Sequence, residues 1–208
     1  MAISVSRFPR RKAVDYKSVR DEIRSGDLLL CAGNAWFSRL IQRATGSAWS
    51  HVAFVMRLDE IGRVMVMESV ESAGVRTVPL RSYLNDYNGS GQAYGGGLVL
   101  VRHRKFAEQV SQPELKSFGQ FAADLFGYPY DRNEIAKIAT RIAASRLPFS
   151  NREQRELKPG REYICSEYVW ECYKSIGIRV PHHGRGFIAP ADFARSPDVE
   201  LLHVLKGR

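Results

Sequence analysis

Residues 163–173 have the sequence Tyr-Ile-Cys-Ser-Glu-Tyr-Val-Trp-Glu-Cys-Tyr, which has the spacing of an amphipathic helix. The polar stretch before it, residues 151–161, contains Lys158-Pro159-Gly160, so Cys165 is expected to begin a helix directly after a loop. Unpaired amides and a partial positive charge at a helix N-terminus favour the thiolate over the thiol, as a nucleophile requires. The alternative is a core cysteine, because free cysteine is among the most buried residue types.

The composition indicates one soluble domain. The 208 residues are 44% hydrophobic and 25% charged, and no apolar run approaches the roughly 20 residues of a membrane-spanning helix. Residues 1–12 are basic but lack the apolar core of a secretory signal. Three cysteines leave one over from any disulfide pairing, so we expect a reducing, cytoplasmic location.

The formal net charge of +9 raises the alternative of a nucleic-acid-binding protein. Basic residues cluster at residues 7–12 and 102–105, but these clusters lack the alternating aromatic residues of a base-stacking surface. Elsewhere acidic and basic residues interleave, as on a solvated surface. We therefore expect no nucleic-acid partner, and the oligomeric state stays open.

Periodicity divides the chain into an early part rich in strands and a later part rich in helices. Strands are predicted over residues 27–32, 51–58, 63–69, 75–78, 97–102 and 201–205, and helices or helical turns over residues 16–25, 35–45, 79–87, 113–126, 133–145 and 165–177. Residues 147–160 are expected to form a polar loop. This segregation favours the α+β class. We expect a basic arm with a short helix over residues 1–25 and a single domain over residues 26–208.

Neither a cofactor nor a metal site is predicted. The glycine-rich residues 89–97 lead into a strand, whereas a dinucleotide-binding loop follows a strand and opens a helix. Cys165 and Cys172 are too far apart in sequence for a zinc knuckle, and His182 and His183 are adjacent in a glycine-flanked loop.

His51 is the histidine best placed to serve as a base for Cys165, because it begins an apolar strand and so has a rigid support. His103 is expected to be solvated and His203 to be packed. The turn at residues 59–62 is expected to place Glu68 opposite His51 in an antiparallel hairpin, within reach of the imidazole. A charge in an apolar strand is costly unless it is paired. The alternative is that Glu68 faces solvent at the end of the sheet.

Five motifs, in their order along the chain, resemble those of a known family. They are Gly26-Asp27-Leu28-Leu29-Leu30, Trp49-Ser50-His51-Val52-Ala53-Phe54-Val55, Met67-Glu68-Ser69, Gly127-Tyr128-Pro129-Tyr130-Asp131 and Tyr163-Ile164-Cys165-Ser166-Glu167. Together the motifs resemble the circularly permuted branch of the NlpC-like, papain-fold cysteine peptidases, the YiiX-like group. In that branch the histidine strand precedes the cysteine helix, as it does here.

The resemblance implies Cys165 as nucleophile, His51 as general base and acid, and Glu68 as the residue that orients the imidazole. It also implies a papain-like fold, with the cysteine helix packed against a small antiparallel sheet or half-barrel and with additional helices. The family hydrolyses or transfers acyl groups at amide, peptide or ester bonds. We therefore expect a thiol hydrolase that acts through a thioester on a small peptide, amino-acid-containing or acyl substrate.

Several alternatives stay open. Acyl transfer or lipid-ester hydrolysis would use the same site, and a binding module could keep the fold without catalysis. The backbone N–H of Cys165 is expected to stabilise the oxyanion. The candidate substrate-binding residues are Trp49, Ser50, Tyr130, Tyr163 and Ser166, with packing as the alternative role.

Overall fold

The computed structural model describes residues 3–131, 162–182 and 187–206, in which one seven-stranded sheet carries helices on both faces. The strands are β1 Val14–Asp15, β2 Leu28–Gly33, β3 His51–Leu58, β4 Arg63–Val70, β5 Gly74–Pro79, β6 Gly96–His103 and β7 Val199–Lys206. They lie in the order β1-β7-β6-β2-β3-β4-β5. Among the strand pairs of the described residues, β1–β7 is parallel and the others are antiparallel.

The helices are α1 Tyr16–Val19, α2 Trp36–Thr45, α3 Leu80–Asn85, α4 Arg104–Gln109, α5 Gln112–Asp124, α6 Cys165–Ser175 and α7 Pro190–Arg195. Short 3-10 turns follow α1, β3 and α3 at Arg20–Glu22, Asp59–Ile61 and Tyr87–Gly89. The predicted α+β class is confirmed. The helix predicted over residues 133–145 and the loop over residues 147–160 lie outside the described residues.

Most elements match the sequence predictions within a few residues, and the differences have local causes. The helix predicted over residues 16–25 is only α1 and a 3-10 turn, because Ile23 turns to extended backbone. Helices α4 and α7 and strand β1 were not predicted, since each has six residues or fewer and shows little periodicity.

Strand β3 is buried on both faces, which explains its continuous apolar sequence. Val52 and Phe54 belong to the cluster that α5 and α6 cover, whereas Ala53 and Val55 belong to a second cluster with residues of α3. The sheet is therefore the middle layer of the fold, and the predicted packing of the cysteine helix against the sheet is confirmed.

Helix α6 is fixed at both ends and along its length. It begins directly after Ile164, whose backbone is extended, and Gly177 follows its end with a φ of +79°, a conformation that favours glycine. Tyr168 donates a hydrogen bond to the carbonyl of Ala122 in α5, and Tyr173 donates one to the carbonyl of Gly26 before β2. These bonds set the position of the first turn, where Cys165 lies.

The N-terminal residues contribute to the same fold. Strand β1 pairs with β7, and Ile3 and Ile23 are buried in the two core clusters. The boundary expected at residue 25 stays a prediction, but residues 3–23 share a core with the sheet.

Candidate active site

Cys165 is the first residue of α6, as the sequence predicted, and it is 4% exposed. The Glu167 carboxylate accepts a hydrogen bond from the Ile164 amide at 3.3 Å and so stabilises the start of the helix. The first-turn amides of α6 are those that an α-helix leaves without intrahelical partners. Cys165 thus lies where a partial positive charge is available to an anion.

His51 begins β3 and lies beside both other predicted site residues. Its Nε2 lies 2.9 Å from Oε2 of Glu68, and its ring is near enough to Cys165 for the cysteine side chain to raise the pKa of His51. Because Glu68 occupies Nε2, Nδ1 is the nitrogen left for the thiol. Burial lowers the pKa of His51, but the charges and hydrogen bonds of Cys165 and Glu68 outweigh it and raise the pKa to about 10.

Glu68 is fully buried, and several hydrogen-bond donors stabilise the negative charge of its carboxylate. Arg76 reaches Oε1 of Glu68 through Nε at 2.9 Å and Nη2 at 2.8 Å, and the hydroxyl of Tyr83 donates to Oε2. Burial raises the pKa of Glu68, but His51, Arg76 and Tyr83 outweigh it, so the pKa lies below its usual 4.5. The alternative that Glu68 faces solvent is wrong.

The hairpin joins His51 and Glu68, but not by the direct opposition that the sequence predicted. Phe54 pairs with Met67 in β3–β4, so continuing that register places Glu68 opposite Ala53, two residues from His51 on the same face. His51 itself pairs with Cys31 of β2. The turn itself lies at residues 59–62 as expected, but its register places Glu68 two residues away from the position opposite His51, and long side chains bridge this diagonal.

Arg76 and Tyr83 were missed by the sequence reasoning. A signal for Arg76 was present: Glu68 pairs directly with Arg76 across the short turn between β4 and β5, and opposite charges at such positions attract. Tyr83 had no comparable signal, because α3 brings it to Glu68 through tertiary packing. Burial and then the charge of Glu68 raise the pKa of Tyr83 well above its ordinary value, so Tyr83 stays a donor.

A narrow cleft with a volume of about 40 Å³ lies beside Cys165 and is mostly apolar. Its walls come from α2, from the start of α6 and from the segment before α7, and they are formed by Leu40, Ile41, Ala44, Thr45, Ser50, Tyr130, Ile164, Ser166, Phe187, Ile188, Ala189 and Pro190. Three of the five predicted substrate-binding residues, Ser50, Tyr130 and Ser166, therefore line the cleft.

The polar groups of these three residues differ in availability. Ser166 is buried and donates to the carbonyl of Ile188 at 2.7 Å, which ties α6 to the opposite wall. Ser50 accepts from the Gly33 amide at 3.0 Å. Burial and then the nearby charge of Cys165 raise the pKa of Tyr130, which keeps its phenol protonated and able to donate.

The other two predicted substrate-binding residues do not line the cleft. Trp49 is fully buried, its indole donates to the carbonyl of Ser4 at 3.0 Å, and its ring packs against Phe8. Tyr163 is 7% exposed and its ring lies 6.0 Å from that of Tyr128. For both side chains the structure favours the packing alternative.

His103 and His203 have surroundings of their own, apart from Cys165 and Glu68. His103 is fully buried, and burial lowers its pKa to about 4, so the expectation of a solvated side chain is wrong. His203 pairs with Glu22 at 2.9 Å, and His183 lies outside the described residues. Within residues 3–131, 162–182 and 187–206, no three His, Cys, Asp or Glu side chains are grouped as metal ligands. The expected absence of a metal stays a prediction.

Comparison with known proteins places this arrangement in a family. The model of the permuted papain-like amidase enzymes, the YaeF/YiiX or C92 family, matches residues 22–203. The chain belongs to this family. Membership in the permuted papain-like amidases confirms the resemblance, the fold class and the class of enzyme, a cysteine amidase or peptidase.

A solved structure agrees with this membership in its fold. The crystal structure of metalloprotein yiiX from Escherichia coli O157:H7 is similar to this permuted papain-like amidase with a TM-score of 0.61 and 18% sequence identity. The match covers 88% of this chain and 98% of that one. No curated protein matches the chain. Among the helices that the described residues form, none is both long and apolar enough to cross a bilayer.

Proposed function

We propose that this enzyme cleaves an amide or peptide bond, with Cys165 as nucleophile, His51 as general base and acid, and Glu68 as the residue that orients the imidazole. The observation that carries the proposal is the grouping of three side chains: Cys165 at the start of α6, the His51 ring whose pKa it raises, and a buried, ionised Glu68 that lies 2.9 Å from that ring. A nucleophile, a base and an orienting group in contact form the arrangement that covalent catalysis requires.

His51, whose pKa of about 10 keeps it protonated at neutral pH, holds at Nδ1 the proton that it has taken from the thiol, and in the acylation step the thiolate attacks the substrate carbonyl. The carbon–sulfur bond forms while the carbonyl electrons move to oxygen, and the Cys165 amide at the helix start donates to this oxyanion. Collapse of the intermediate breaks the carbon–nitrogen bond. The leaving amine takes the proton from His51, and a thioester on Cys165 remains.

In the deacylation step, His51 removes a proton from water, and the resulting hydroxide attacks the thioester carbonyl. The carbon–sulfur bond breaks, the thiolate regains the proton from His51, and a carboxylic acid leaves. Glu68 stays ionised throughout, because it serves to hold the imidazole and to stabilise its charged form. Tyr130 lines the cleft, and its phenol would donate a hydrogen bond to the substrate.

Acyl transfer or lipid-ester hydrolysis is the second candidate, and the apolar cleft favours it. The side chains of Leu40, Ile41 and Phe187 offer contacts to an aliphatic acyl group and few hydrogen bonds to a peptide. A panel of acyl amides and esters of increasing chain length, with and without an added amine acceptor, separates the two candidates by the products formed.

Thiol labelling tests the assignment of the nucleophile. Cys31 and Cys172 are fully buried, and burial raises the pKa of both, so iodoacetamide is expected to modify Cys165 first. Cys165→Ala should abolish fast labelling and hydrolysis, while Cys172→Ala should keep both. Fast labelling of Cys31 or Cys172 in the wild type would contradict the assignment. Slow labelling of Cys165 would favour a binding module without catalysis.

We also infer a reducing, cytoplasmic location for the enzyme. All three cysteines are free thiols, and the proposed nucleophile is among them. Thiols persist in reducing compartments. Thiol alkylation in intact cells followed by fractionation tests this location.

A further inference from the structure

Helix α2, beside the cleft, is attached to the protein by the polar side chain of Gln42 as well as by half-buried apolar residues such as Ala44. Nε2 of Gln42 donates to the carbonyls of Gly33 and Ala48, both at 3.0 Å, and none of the ten residues of α2 is fully buried. A surface helix normally turns its apolar side toward the core. In α2, by contrast, part of the apolar side is exposed to solvent: Trp36 is 76% exposed and Leu40 is 41% exposed.

Two arginines share the exposed stripe of α2. Residues 36, 39, 40 and 43 follow the i, i+3, i+4, i+7 spacing of one helix side, so Arg39 and Arg43 flank Trp36 and Leu40. Both arginines are exposed, and neither has an ion-pair partner among the described residues. The outward side of α2 is therefore apolar and basic at once.

The basic arm of the chain adjoins the end of the same helix. The carbonyl of Val5 accepts hydrogen bonds from the Ala48 amide at 2.8 Å and from the Ser47 hydroxyl at 3.1 Å, just after α2. Arg7, Arg10 and Lys12 follow along the arm and are exposed. With a net charge of +9 for the whole chain, this side favours contact with an extended anionic surface.

We propose that α2 and the basic arm form a docking surface for the anionic headgroup layer of a membrane. Trp36 and Leu40 enter the boundary between headgroups and acyl chains, and Arg39, Arg43 and the arm contact lipid phosphates. A tryptophan beside arginines on an amphipathic helix is the pattern of an interfacial helix, which lies in the membrane surface without crossing the membrane. Docking does not depend on the proposed catalysis, although it would bring the cleft, which Leu40 also lines, to the membrane surface.

The three tryptophans make the docking directly measurable. Trp49 is fully buried and Trp170 is 9% exposed, so a change of fluorescence on mixing with lipid reports on Trp36. The wild type is mixed with vesicles of phosphatidylcholine alone and with vesicles containing an equal amount of phosphatidylglycerol. We expect a blue shift and co-sedimentation only with the anionic vesicles, and both should weaken as salt is added.

Paired variants test each part of the surface. Arg39→Gln with Arg43→Gln should lower the partition coefficient for anionic vesicles roughly fivefold per arginine. The matched control is Arg63→Gln with Arg81→Gln, which makes the same charge change at the start of β4 and on α3. This control should lower the partition coefficient less. Trp36→Ala with Leu40→Ala should abolish co-sedimentation, whereas Ile61→Ala, an exposed apolar residue at the β3–β4 turn, should not. Cys165→Ala should bind vesicles as the wild type does.

Three outcomes would overturn the proposal. The first is no vesicle binding by the folded wild type, and the second is binding to neutral and anionic vesicles alike. The third is a concentration-dependent dimer, seen by analytical ultracentrifugation, that Trp36→Ala with Leu40→Ala converts to monomer, since α2 would then serve self-association. Wild-type labelling of Cys165 in Arg39→Gln with Arg43→Gln shows that the rest of the site is intact.

Discussion

Glu68 is the residue on which the electrostatics of the candidate site depend. It is fully buried, yet three neighbouring side chains donate to it and hold its pKa below the usual value. A buried carboxylate is costly unless it is paired and hydrogen-bonded, and here both conditions are met. Its charge in turn stabilises the protonated form of His51.

The first prediction concerns the pH dependence of catalysis. The proposed mechanism needs the His51 proton for the leaving group, so the rate should fall as pH rises through about 10. Glu68→Gln removes a negative charge that favours the imidazolium, so this alkaline limb should move to lower pH by roughly 1–3 units. The measurement is kcat/KM against pH for any amide the enzyme accepts.

Glu60→Gln provides the matched control for that shift. Glu60 is an exposed residue in the 3-10 turn after β3, and its loss should leave the alkaline limb in place. An unchanged limb in Glu68→Gln, or an equal shift in both variants, would show that Glu68 does not set the pKa of His51.

At the scale of elements, the position of Cys165 depends on how α6 packs between α5 and the sheet. Phe118 of α5 is fully buried, and its ring lies 4.7 Å from Phe54 of β3 and 5.7 Å from Tyr173 of α6. One side chain thus joins the three elements that hold the nucleophile relative to the histidine strand. The two hydrogen bonds from Tyr168 and Tyr173 fix the orientation of α6 within this packing.

The second prediction follows from that contact. Phe118→Ala should lower the free energy of unfolding by about 3–5 kcal/mol, because it removes a fully buried ring and leaves a cavity. Phe126→Ala, at an exposed position after the same helix, should change the free energy of unfolding by under about 1 kcal/mol. Urea unfolding followed by circular dichroism measures both variants, and equal losses would contradict the packing described for α5.

At the scale of the whole molecule, the buried charges link stability to pH. The folded pKa of His51 is raised, so its contribution is fully present below 6.5 and is lost as pH rises through about 10. The folded pKa of Glu68 is lowered, so its contribution is present above 4.5 and is lost as pH falls through its folded value. Both contributions to stability are therefore fully present between pH 4.5 and pH 6.5.

The third prediction concerns a variant that should change only the loss of stability at low pH. Tyr83→Phe removes a donor to ionised Glu68, which should cost about 1.5–3 kcal/mol at neutral pH and raise the pKa of Glu68. Loss of stability on acidification should therefore begin at a higher pH than in the wild type. Thermal unfolding from pH 7 downward measures this.

The control for that prediction is Tyr16→Phe, since no hydrogen bond from the Tyr16 hydroxyl occurs among the described residues. It should follow the wild-type curve of melting temperature against pH. If Tyr83→Phe also follows the wild-type curve, the Tyr83 hydroxyl does not stabilise the Glu68 charge.

Features that depend on near neighbours along the chain could be predicted from the amino-acid sequence. The start of α6 at Cys165 and its end before Gly177 follow from a polar loop, helical periodicity and a glycine stop. The β3–β4 hairpin, which brings His51 and Glu68 to one face, follows from apolar strands around a short turn. The order of histidine strand and cysteine helix is a property of the chain itself, and it carried the resemblance that the family comparison confirmed.

Features that join distant parts of the chain became visible in the folded protein and not in the sequence. The two-residue offset between His51 and Glu68 is set where β2 and β4 both pair with β3. The donation from Tyr83 to Glu68, the burial of Trp49 against Ser4 and the walls of the cleft are likewise set by packing between separate elements. The physical reason is that periodicity and turn chemistry act over a few residues, whereas burial and pairing are fixed by neighbours brought together in space.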